Sequence, residues 1–277
     1  MYTKCKYCED NYNTIIEKLS IVKCNNCKLV FCKKKFTQEE LTETYNQLYN
    51  KRVNSHYNVH TDIEYNKLKK GVIPKIGFNR KRIIDKYTTN KNVNILEIGS
   101  GIGLIASYIK NKGIENYLGL EIDYETYLKS QKLGLNTINT DFSYIERGEK
   151  EINIVMLWEV LEHLQDLKLF VNLIIKKLKK NGVLMFSVPN FDKIKNYKKN
   201  KQNGIYQDTP PIHLNFFTKE SIKNILESSG FHIEYLYIKK RPYINFKSKH
   251  FYRMMYRVLR GKYEGSTIYV VARKIEA

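Results

Sequence analysis

Leu96-Glu97-Ile98-Gly99-Ser100-Gly101-Ile102-Gly103 is the stretch whose reading decides the fold of this 277-residue chain. An apolar run beginning at Val93 stops at Ile98, three glycines alternate, and a helical pattern opens near Ile102. Glycine permits positive φ and lets a ligand touch the backbone, while the start of the following helix offers N–H groups without partners. Strand, glycine turn and helix in that order predict a loop that cradles a ligand. Alone, the Gly-x-Gly-x-Gly spacing is a weak signal, because a turn with no ligand uses it too. The sequence on either side strengthens it.

Downstream, apolar runs recur at Tyr117–Ile122, Ile152–Leu157 and Val183–Val188, short and bounded as buried parallel strands are. Helical patterns fall between them, notably Leu167–Leu178, where apolar residues return every three or four positions. Thr218 caps a further helix that Gly230 ends, and Phe231–Ile238 and Thr267–Ala272 supply the last strands. This alternation predicts an α/β fold, a doubly wound sheet with right-handed crossovers. Upstream, a helix from Phe78 to Tyr87 precedes the first strand, and residues 51–75, polar and broken by Gly71 and Pro74, read as a linker. Thr37-Gln38-Glu39-Glu40 has the form of a capping box and opens a helix to about Tyr49. The division expected is a small element over 1–35, a helix and linker over 36–77, and the α/β domain over 78–277.

Three acids stand near strand ends. Glu97 precedes the glycines, and Glu121 closes the second strand in Gly119-Leu120-Glu121-Ile122, where an acid accepts hydrogen bonds from ribose hydroxyls. Asp123 is the alternative for that role, or a helix cap. Asp141, in Asn139-Thr140-Asp141-Phe142, would accept from an adenine amino group while Phe142 flanks the ring.

Together these motifs, from about Phe78 to the C-terminus, resemble the class I S-adenosylmethionine-dependent methyltransferases. Glu97-x-Gly99-x-Gly101-x-Gly103 is similar to the first motif of that family, and Glu121 and Asp141 to its second and third acidic positions. The resemblance implies a Rossmann-like seven-stranded sheet. It also implies a donor site made of Glu97, Gly99, Ser100, Gly101, Gly103, Glu121, Ile122, Asp141, Phe142 and Trp158. A nicotinamide enzyme would show Gly-x-Gly-x-x-Gly, and here the third glycine falls one residue early.

The fourth strand runs into Trp158-Glu159-Val160-Leu161-Glu162-His163-Leu164. A helical turn here would set Glu159, Glu162 and His163 on one face, at the carboxyl ends of the strands. The stretch is similar to that of small-molecule methyltransferases, the ubiquinone-biosynthesis O-methyltransferases among them. That resemblance implies a divalent-metal role with Mg²⁺ as the ion; the competing reading is that these residues cap a turn and orient a loop. Beyond Ser187-Val188-Pro189-Asn190, a polar Lys-rich segment to Pro211 reads as a cover over the acceptor. It ends in Pro211-Ile212-His213-Leu214-Asn215-Phe216-Phe217. With the ordinary histidine pKa of ~6.5, His213 is a candidate general base toward an acceptor hydroxyl, and His163 is a second catalytic candidate. The alternative is a histidine that pins its loop.

All five cysteines precede residue 35. Cys5-x2-Cys8 and Cys24-x2-Cys27, 15 residues apart, have the spacing of two knuckles that aim four thiolates at one structural Zn²⁺. Cys32 is left over and reads as a small core residue. The stretch Val22–Phe31, with Thr37-Gln38-Glu39-Glu40-Leu41, resembles the N-terminal ribbon of bacterial methyltransferases encoded among genes for surface-polysaccharide and sugar-derivative synthesis. Lys28 stands where glycine is common in that group, and Lys33-Lys34-Lys35 where Asn-Pro-Arg-Pro is common.

Lys and Arg number 48 against 28 Asp and Glu, a formal charge of +20 that suits a polyanionic partner. The chain is equally rich in the Lys, Asn, Ile and Tyr of an AT-rich genome. Its Lys runs, Lys176-Lys177, Lys179-Lys180, Lys198-Lys199 and Lys239-Lys240-Arg241, are scattered and several solvate helix faces. Residues 246–260 read as a basic amphipathic helix that rests on an anionic membrane or, more commonly, packs its apolar side on its own domain. No stretch reaches the ~18 apolar residues of a membrane span, and the N-terminus lacks the core of a secretory signal, so a cytoplasmic protein with reduced thiols is expected. The leading function is methylation on O or N of a small-molecule or carbohydrate-linked acceptor, in surface-polysaccharide or related biosynthesis. An RNA methyltransferase, using ribbon and charge to hold RNA, is the alternative; Leu157-Trp158-Glu159-Val160 lacks the Asn/Asp-Pro-Pro-aromatic motif of base-amine methylation. No motif states the oligomeric state.

Overall fold

From the amino end of the computed structural model, β1 (Tyr12–Ile16), β2 (Ile21–Cys24) and β3 (Val30–Cys32) are followed by α1 (Gln38–Asn50), α2 (Ser55–Lys69) and α3 (Phe78–Tyr87). Then come β4 (Ile95–Ile98), α4 (Leu104–Asn111), β5 (Tyr117–Glu121), α5 (Tyr124–Lys132), β6 (Thr137–Asn139), α6 (Tyr144–Arg147), β7 (Ile152–Trp158), α7 (Leu167–Lys177) and β8 (Leu178–Pro189). The last elements are β9 (Asn215–Phe216), α8 (Lys219–Ser228), β10 (Phe231–Ile238), α9 (Phe251–Leu259) and β11 (Thr267–Lys274). The residues described are 1–50, 55–148, 151–192, 209–238, 251–261 and 265–275. Most of the segment read as an acceptor cover, the run Lys239-Lys240-Arg241 and residues 246–250 of the basic stretch lie outside them.

Seven strands form one sheet in the order β10-β11-β8-β7-β4-β5-β6, as the α/β alternation required. β6, β5, β4, β7 and β8 run parallel, and β11 is antiparallel to both β8 and β10. The chain moves outward from β4 through β5 to β6, then returns to β7 on the other side of β4. Ligands bind open α/β sheets outside the carboxyl ends of strands at such a reversal. Strand periodicity distributes β7 between the two faces. Ile154, Met156 and Trp158 meet the layer of α3 and α4, whereas Val155 and Leu157 meet α7 and α8.

The ribbon is joined to this domain by backbone and by core. β3 pairs antiparallel with β9, Val30 opposite Phe216 and Phe31 opposite Asn215, making a four-stranded sheet β1-β2-β3-β9. Val22, Leu29 and Phe31 share one apolar cluster with Phe170 of α7 and Ile225 of α8. Tyr7 donates its hydroxyl to the Ile225 carbonyl at 3.0 Å.

One expectation changes, and one is met in part. Residues 55–69, within the stretch read as linker, form α2. They contain no glycine or proline, and Gly71, at φ 74°, comes just after the helix, where Val72 N–H returns to the Lys67 carbonyl. They also lack the sharp apolar stripe by which a helix is recognised in sequence. The basic helix α9 buries none of its residues; Tyr252 and Leu259 are 83% and 81% exposed. Phe251, Met254, Met255 and Val258, spaced three and four residues apart, are half-buried, so that apolar face is partly covered while Tyr252, Tyr256 and Leu259 stand outside it. Among the described residues no helix is long and apolar enough to cross a membrane.

Candidate active site

The donor half is built where β4 and β5 end. Gly99, Gly101 and Gly103 all have positive φ, at 71°, 56° and 85°. Gly99 and Ser100 donate their N–H groups to the Leu120 carbonyl at 2.8 and 3.0 Å, which ties the loop to β5. A Cβ at Gly99 would lie 2.7 Å from Val160 Cγ2, and one at Gly103 2.2 Å from Leu135 Cδ1. At Gly101 a Cβ would meet nothing within 4 Å, so the middle of the loop faces open space. The Glu121 carboxylate accepts from Gly101 N–H at 2.7 Å and from Asp123 N–H at 2.9 Å. Burial raises its pKa. Asp123 instead caps α5, accepting from Thr126 N–H at 2.8 Å, which leaves Glu121 as the acid turned to the loop.

The other donor-site candidates are arranged around this turn. Glu97 is buried and accepts from the Tyr117 hydroxyl; burial, partly offset by that bond, pushes its pKa up to about 8. Ile122 is half exposed beyond β5. Asp141 lies two residues past the end of β6, exposed, its carboxylate accepting from Ser143 N–H at 2.8 Å. Phe142 sets its ring edge-to-face on Phe170 at 5.4 Å. Trp158 closes β7, and its Nε1, like Ser100 Oγ, is buried without a hydrogen-bond partner among the described residues. Arg80 of α3 was not singled out in the sequence. Its guanidinium lies over the Trp158 ring at 5.5 Å and favours ionisation of both Glu97 and Glu159. In sequence it stands within Asn79-Arg80-Lys81-Arg82, which reads as a solvated charge run, and only the fold brings it to the strand ends.

The glycine cradle, the open face at Gly101, the buried acids and the orphaned indole N–H fit an S-adenosyl donor. Such a molecule carries a ribose with hydroxyls for Glu121 and a cationic methionine end for acids and an aromatic ring.

The residues expected on the acceptor side begin one residue after β7. The three candidates Glu159, Glu162 and His163 do not share a helical face. Glu159 adopts φ 58°, ties its N–H to the Ser187 carbonyl at 2.9 Å and accepts from Ser187 Oγ at 2.7 Å, so it turns toward β8. Only a single 3₁₀ turn follows, Leu161–His163. That turn brings Glu162 and His163 to His213 instead, with ligand atoms of the three within 4.8 Å of one another. The two imidazole rings stand edge-to-face, centroids 4.8 Å apart. His163 Nδ1 is 2.9 Å from the Ile212 carbonyl, which fixes the proton on that nitrogen. Burial, aided by His163, pushes the His213 pKa down to about 3, far from the ordinary value. His213 is therefore neutral throughout the neutral pH range. Two imidazoles and one carboxylate make a nitrogen-rich set, unlike the oxygen shells that Mg²⁺ prefers, so the residues do not fit Mg²⁺.

In the ribbon, Cys5 Sγ is 3.7 Å from Cys27 Sγ and Cys8 Sγ 3.3 Å from Cys24 Sγ, and all four sulfurs lie within 4.8 Å of one another. All are free thiols. A tetrahedron with Zn–S of ~2.3 Å has S···S edges of roughly 3.8 Å, so the cluster fits one zinc ion. The hydrogen bond with Cys27 pulls the Cys5 thiol down to about 5 and pushes its partner up. Cys32 lies apart, buried, its Sγ 3.9 Å from the Leu19 carbonyl.

Comparison with known proteins shows the family and the fold. The family described as "Methyltransferase domain" matches residues 69–236, more than half of the chain. The ubiquinone biosynthesis O-methyltransferase of Rickettsia typhi is 28% identical over 130 residues, 43% of this chain and 52% of that protein. Its mitochondrial counterpart in Dictyostelium discoideum is 24% identical over 116 residues, 36% of each chain. The chain thus spans about half the length, or less, of these curated relatives. Among solved structures, a SAM-dependent methyltransferase from Archaeoglobus fulgidus superposes with TM-score 0.53 at 22% identity, covering 71% of this chain and 92% of that one. The plantazolicin methyltransferase BpumL in complex with SAH gives 0.55 at 14% identity, covering 86% and 99%. These two likenesses show the fold.

Proposed function

We propose, because the chain belongs to the class I S-adenosylmethionine-dependent methyltransferase family, that it transfers a methyl group from S-adenosylmethionine to an oxygen or nitrogen of a small-molecule or carbohydrate-linked acceptor. Surface-polysaccharide or related biosynthesis is the setting that the ribbon sequence favours. The observation that carries the reading is the contact between the two halves. Val160, in the turn that leads to Glu162 and His163, lies directly against Gly99 of the donor loop. A methyl acceptor beside the histidines would thus stand next to the donor.

S-adenosylmethionine supplies an already activated methyl on a sulfonium. The chain's task is alignment, exclusion of water and, for an alcohol, removal of a proton. His213 offers a ring nitrogen that accepts a hydrogen bond from the acceptor hydroxyl, but with its pKa near 3 it is a weak base, and full proton removal needs its pKa raised once donor and acceptor are bound. His163, its Nδ1–H held by the Ile212 carbonyl, orients its other nitrogen. An amine acceptor needs this help less. A zinc ion on Cys5, Cys8, Cys24 and Cys27 belongs to the proposal as a structural element, and no step passes through it. The exposed Tyr252, Tyr256 and Leu259, next to Arg253 and Arg260 on α9, suit a peripheral contact with an anionic membrane, where a lipid-linked acceptor would lie.

The test is transfer of labelled methyl from S-adenosylmethionine into a fractionated extract of source cells that lack the protein. Label in small-molecule or glycan fractions, insensitive to ribonuclease, is expected. Label in RNA would overturn the acceptor class.

A further inference from the structure

Asn215 occupies a junction that no motif anticipated. It is buried, and its side-chain amide donates to the Leu161 carbonyl at 2.8 Å and to the Leu164 carbonyl at 2.7 Å. Those two carbonyls bracket the 3₁₀ turn that carries Glu162 and His163. The residues just before Asn215 are tied to the same turn. Leu214 N–H donates to the Glu162 carbonyl at 2.7 Å, and the Ile212 carbonyl receives His163 Nδ1 at 2.9 Å. His213 sits between these two anchors. On its other side the segment belongs to the ribbon. Asn215 pairs with Phe31 of β3, and Cys32 N–H donates to the Leu214 carbonyl at 3.0 Å. The ribbon touches the turn directly as well, through Lys6 Nζ on the Leu164 carbonyl at 3.4 Å.

From this arrangement we propose that Asn215 is a positioning residue for methyl transfer: it clasps the Leu161–Leu164 turn to the ribbon-held segment 212–215 and so fixes His163 against His213. The proposal rests on the reading of those histidines as the acceptor side. A two-pronged donor is what the site requires. Two carbonyls at the ends of one short turn converge on one point, and a primary amide supplies both N–H groups at once. Asp in its ionised form would present oxygens to two carbonyls, and Ala would leave both carbonyls and the turn unrestrained. The donor loop hangs on Leu120 and Glu121, not on this clasp, so the two halves separate in the experiment.

The experiment uses the full chain with its metal, Asn215→Ala and Asn215→Asp beside wild type, each checked for a folded far-ultraviolet signature. Two readouts are taken at one fixed pH. S-adenosylhomocysteine affinity by calorimetry reports the donor half. Nuclear magnetic resonance of ring-nitrogen-labelled histidine reports the clasp, through the His163 tautomer and the cross-relaxation between the His163 and His213 rings. The chain has six histidines, few enough to assign individually. Wild type should show His163 with its proton on Nδ1 and close to His213. Both variants should lose that signature while affinity for S-adenosylhomocysteine changes by less than about threefold, within RT ln 3 or ~0.7 kcal/mol. Unchanged histidine signals in a folded Asn215→Ala would overturn the proposal. So would a wild-type His163 protonated on Nε2 alone, which keeps the claim testable even if neither variant folds. Loss of S-adenosylhomocysteine binding by wild type itself would count against the methyltransferase reading and not against the clasp.

Discussion

At Glu97 a carboxyl lies among apolar side chains, with Tyr117 donating to it and Arg80 close enough to favour its charge. Its pKa near 8 means that the ligand-free protein keeps the proton at neutral pH. Because the folded value exceeds the unfolded value, the stabilisation from this group is full below the unfolded pKa of ~4.3 and is lost as pH rises through about 8. A cationic donor favours the ionised form, so donor binding should expel a proton and strengthen with pH up to about 8, then level off. Calorimetry in buffers of different ionisation heat measures that proton directly. Glu97→Gln should bind with no such slope, and a slope that survives in the variant assigns the proton elsewhere. The glycines separate by the space each faces. Ala at 101 or 103 carries ~1–2 kcal/mol of left-handed strain. Gly103→Ala adds a collision with Leu135, whereas Gly101→Ala places its methyl in open space, where the donor would lie. Both should lose donor affinity, but only Gly103→Ala should also lower the urea midpoint by clearly more than that strain. His213 gives the third residue-scale expectation. With its pKa near 3, no acid limb from this group should appear in the rate between about pH 5 and 8, and His213→Ala should cost less in turnover of an alcohol acceptor than the ~10²–10⁴ of a base matched to the working pH. An acid limb near 6.5 that vanishes in His213→Ala would show the ring to be solvated in the working enzyme.

Elements explain which parts of the molecule were legible in sequence. Strands β4, β5 and β7 are bounded apolar runs, and each emerged close to its reading because burial on both faces leaves no other pattern available, whereas β8 starts at Leu178, five residues before the apolar run at Val183, through the polar Lys179-Lys180-Asn181. The capping box at α1 was equally plain, and Thr37 N–H does return to Glu40 at 2.8 Å. What escaped was decided by neighbours distant in sequence. β9 has only two residues and exists because β3 pairs with it, 184 positions away at Phe31 and Asn215. Glu159 leaves the helical face because Ser187 in the adjoining strand holds it. Sequence alone favours Glu121 over Asp123 for the ribose, and the start of α5 claims Asp123 as its cap. The ribbon's dependence on the domain sets a prediction for β3. Phe31 is fully buried, with Tyr2 and Tyr12 edge-on at 6.2 and 5.7 Å. Phe31→Ala should cost ~3–5 kcal/mol of global stability by urea denaturation. A loss under ~1 kcal/mol would mean the ribbon does not contribute to the common core. For α9, where Tyr252, Tyr256 and Leu259 are exposed beside arginines, Tyr252→Asp with Leu259→Asp should release the protein from vesicles of phosphatidylcholine and phosphatidylglycerol. Equal sedimentation of wild type with vesicles of phosphatidylcholine alone would remove charge from the argument.

On the scale of the whole molecule the charge of +20 and the sharing of one core pull on the same question, namely whether the ribbon is a separable reader of an anionic partner or a structural part of the fold. A tethered reader would hold its own small core and unfold on its own. Four small observations argue the other way: β3 pairs with β9, Tyr7 is bonded to α8, Lys6 reaches Leu164, and Gln165 exchanges two hydrogen bonds with the Phe36 backbone at 2.8 and 2.9 Å. Burying Val22, Leu29 and Phe31 against α7 and α8 means that those helices lose their cover if the ribbon opens. With zinc on Cys5, Cys8, Cys24 and Cys27, as proposed, the cysteine cluster would be a lock on the entire fold. Stripping the metal with a strong chelator, or breaking the cluster by Cys24→Ser, should lower the melting temperature of the chain as one cooperative transition, by an amount set by binding free energy of order 10 kcal/mol or more. Saturating S-adenosylhomocysteine should raise that same transition, since a ligand that binds only the folded state stabilises every part that folds with it. Two separate transitions, the lower sensitive to the chelator and the upper to the donor, would sink the shared-core reading. The ribbon would then be an independent module, and the basic surface would regain its claim as the footprint of a polyanion.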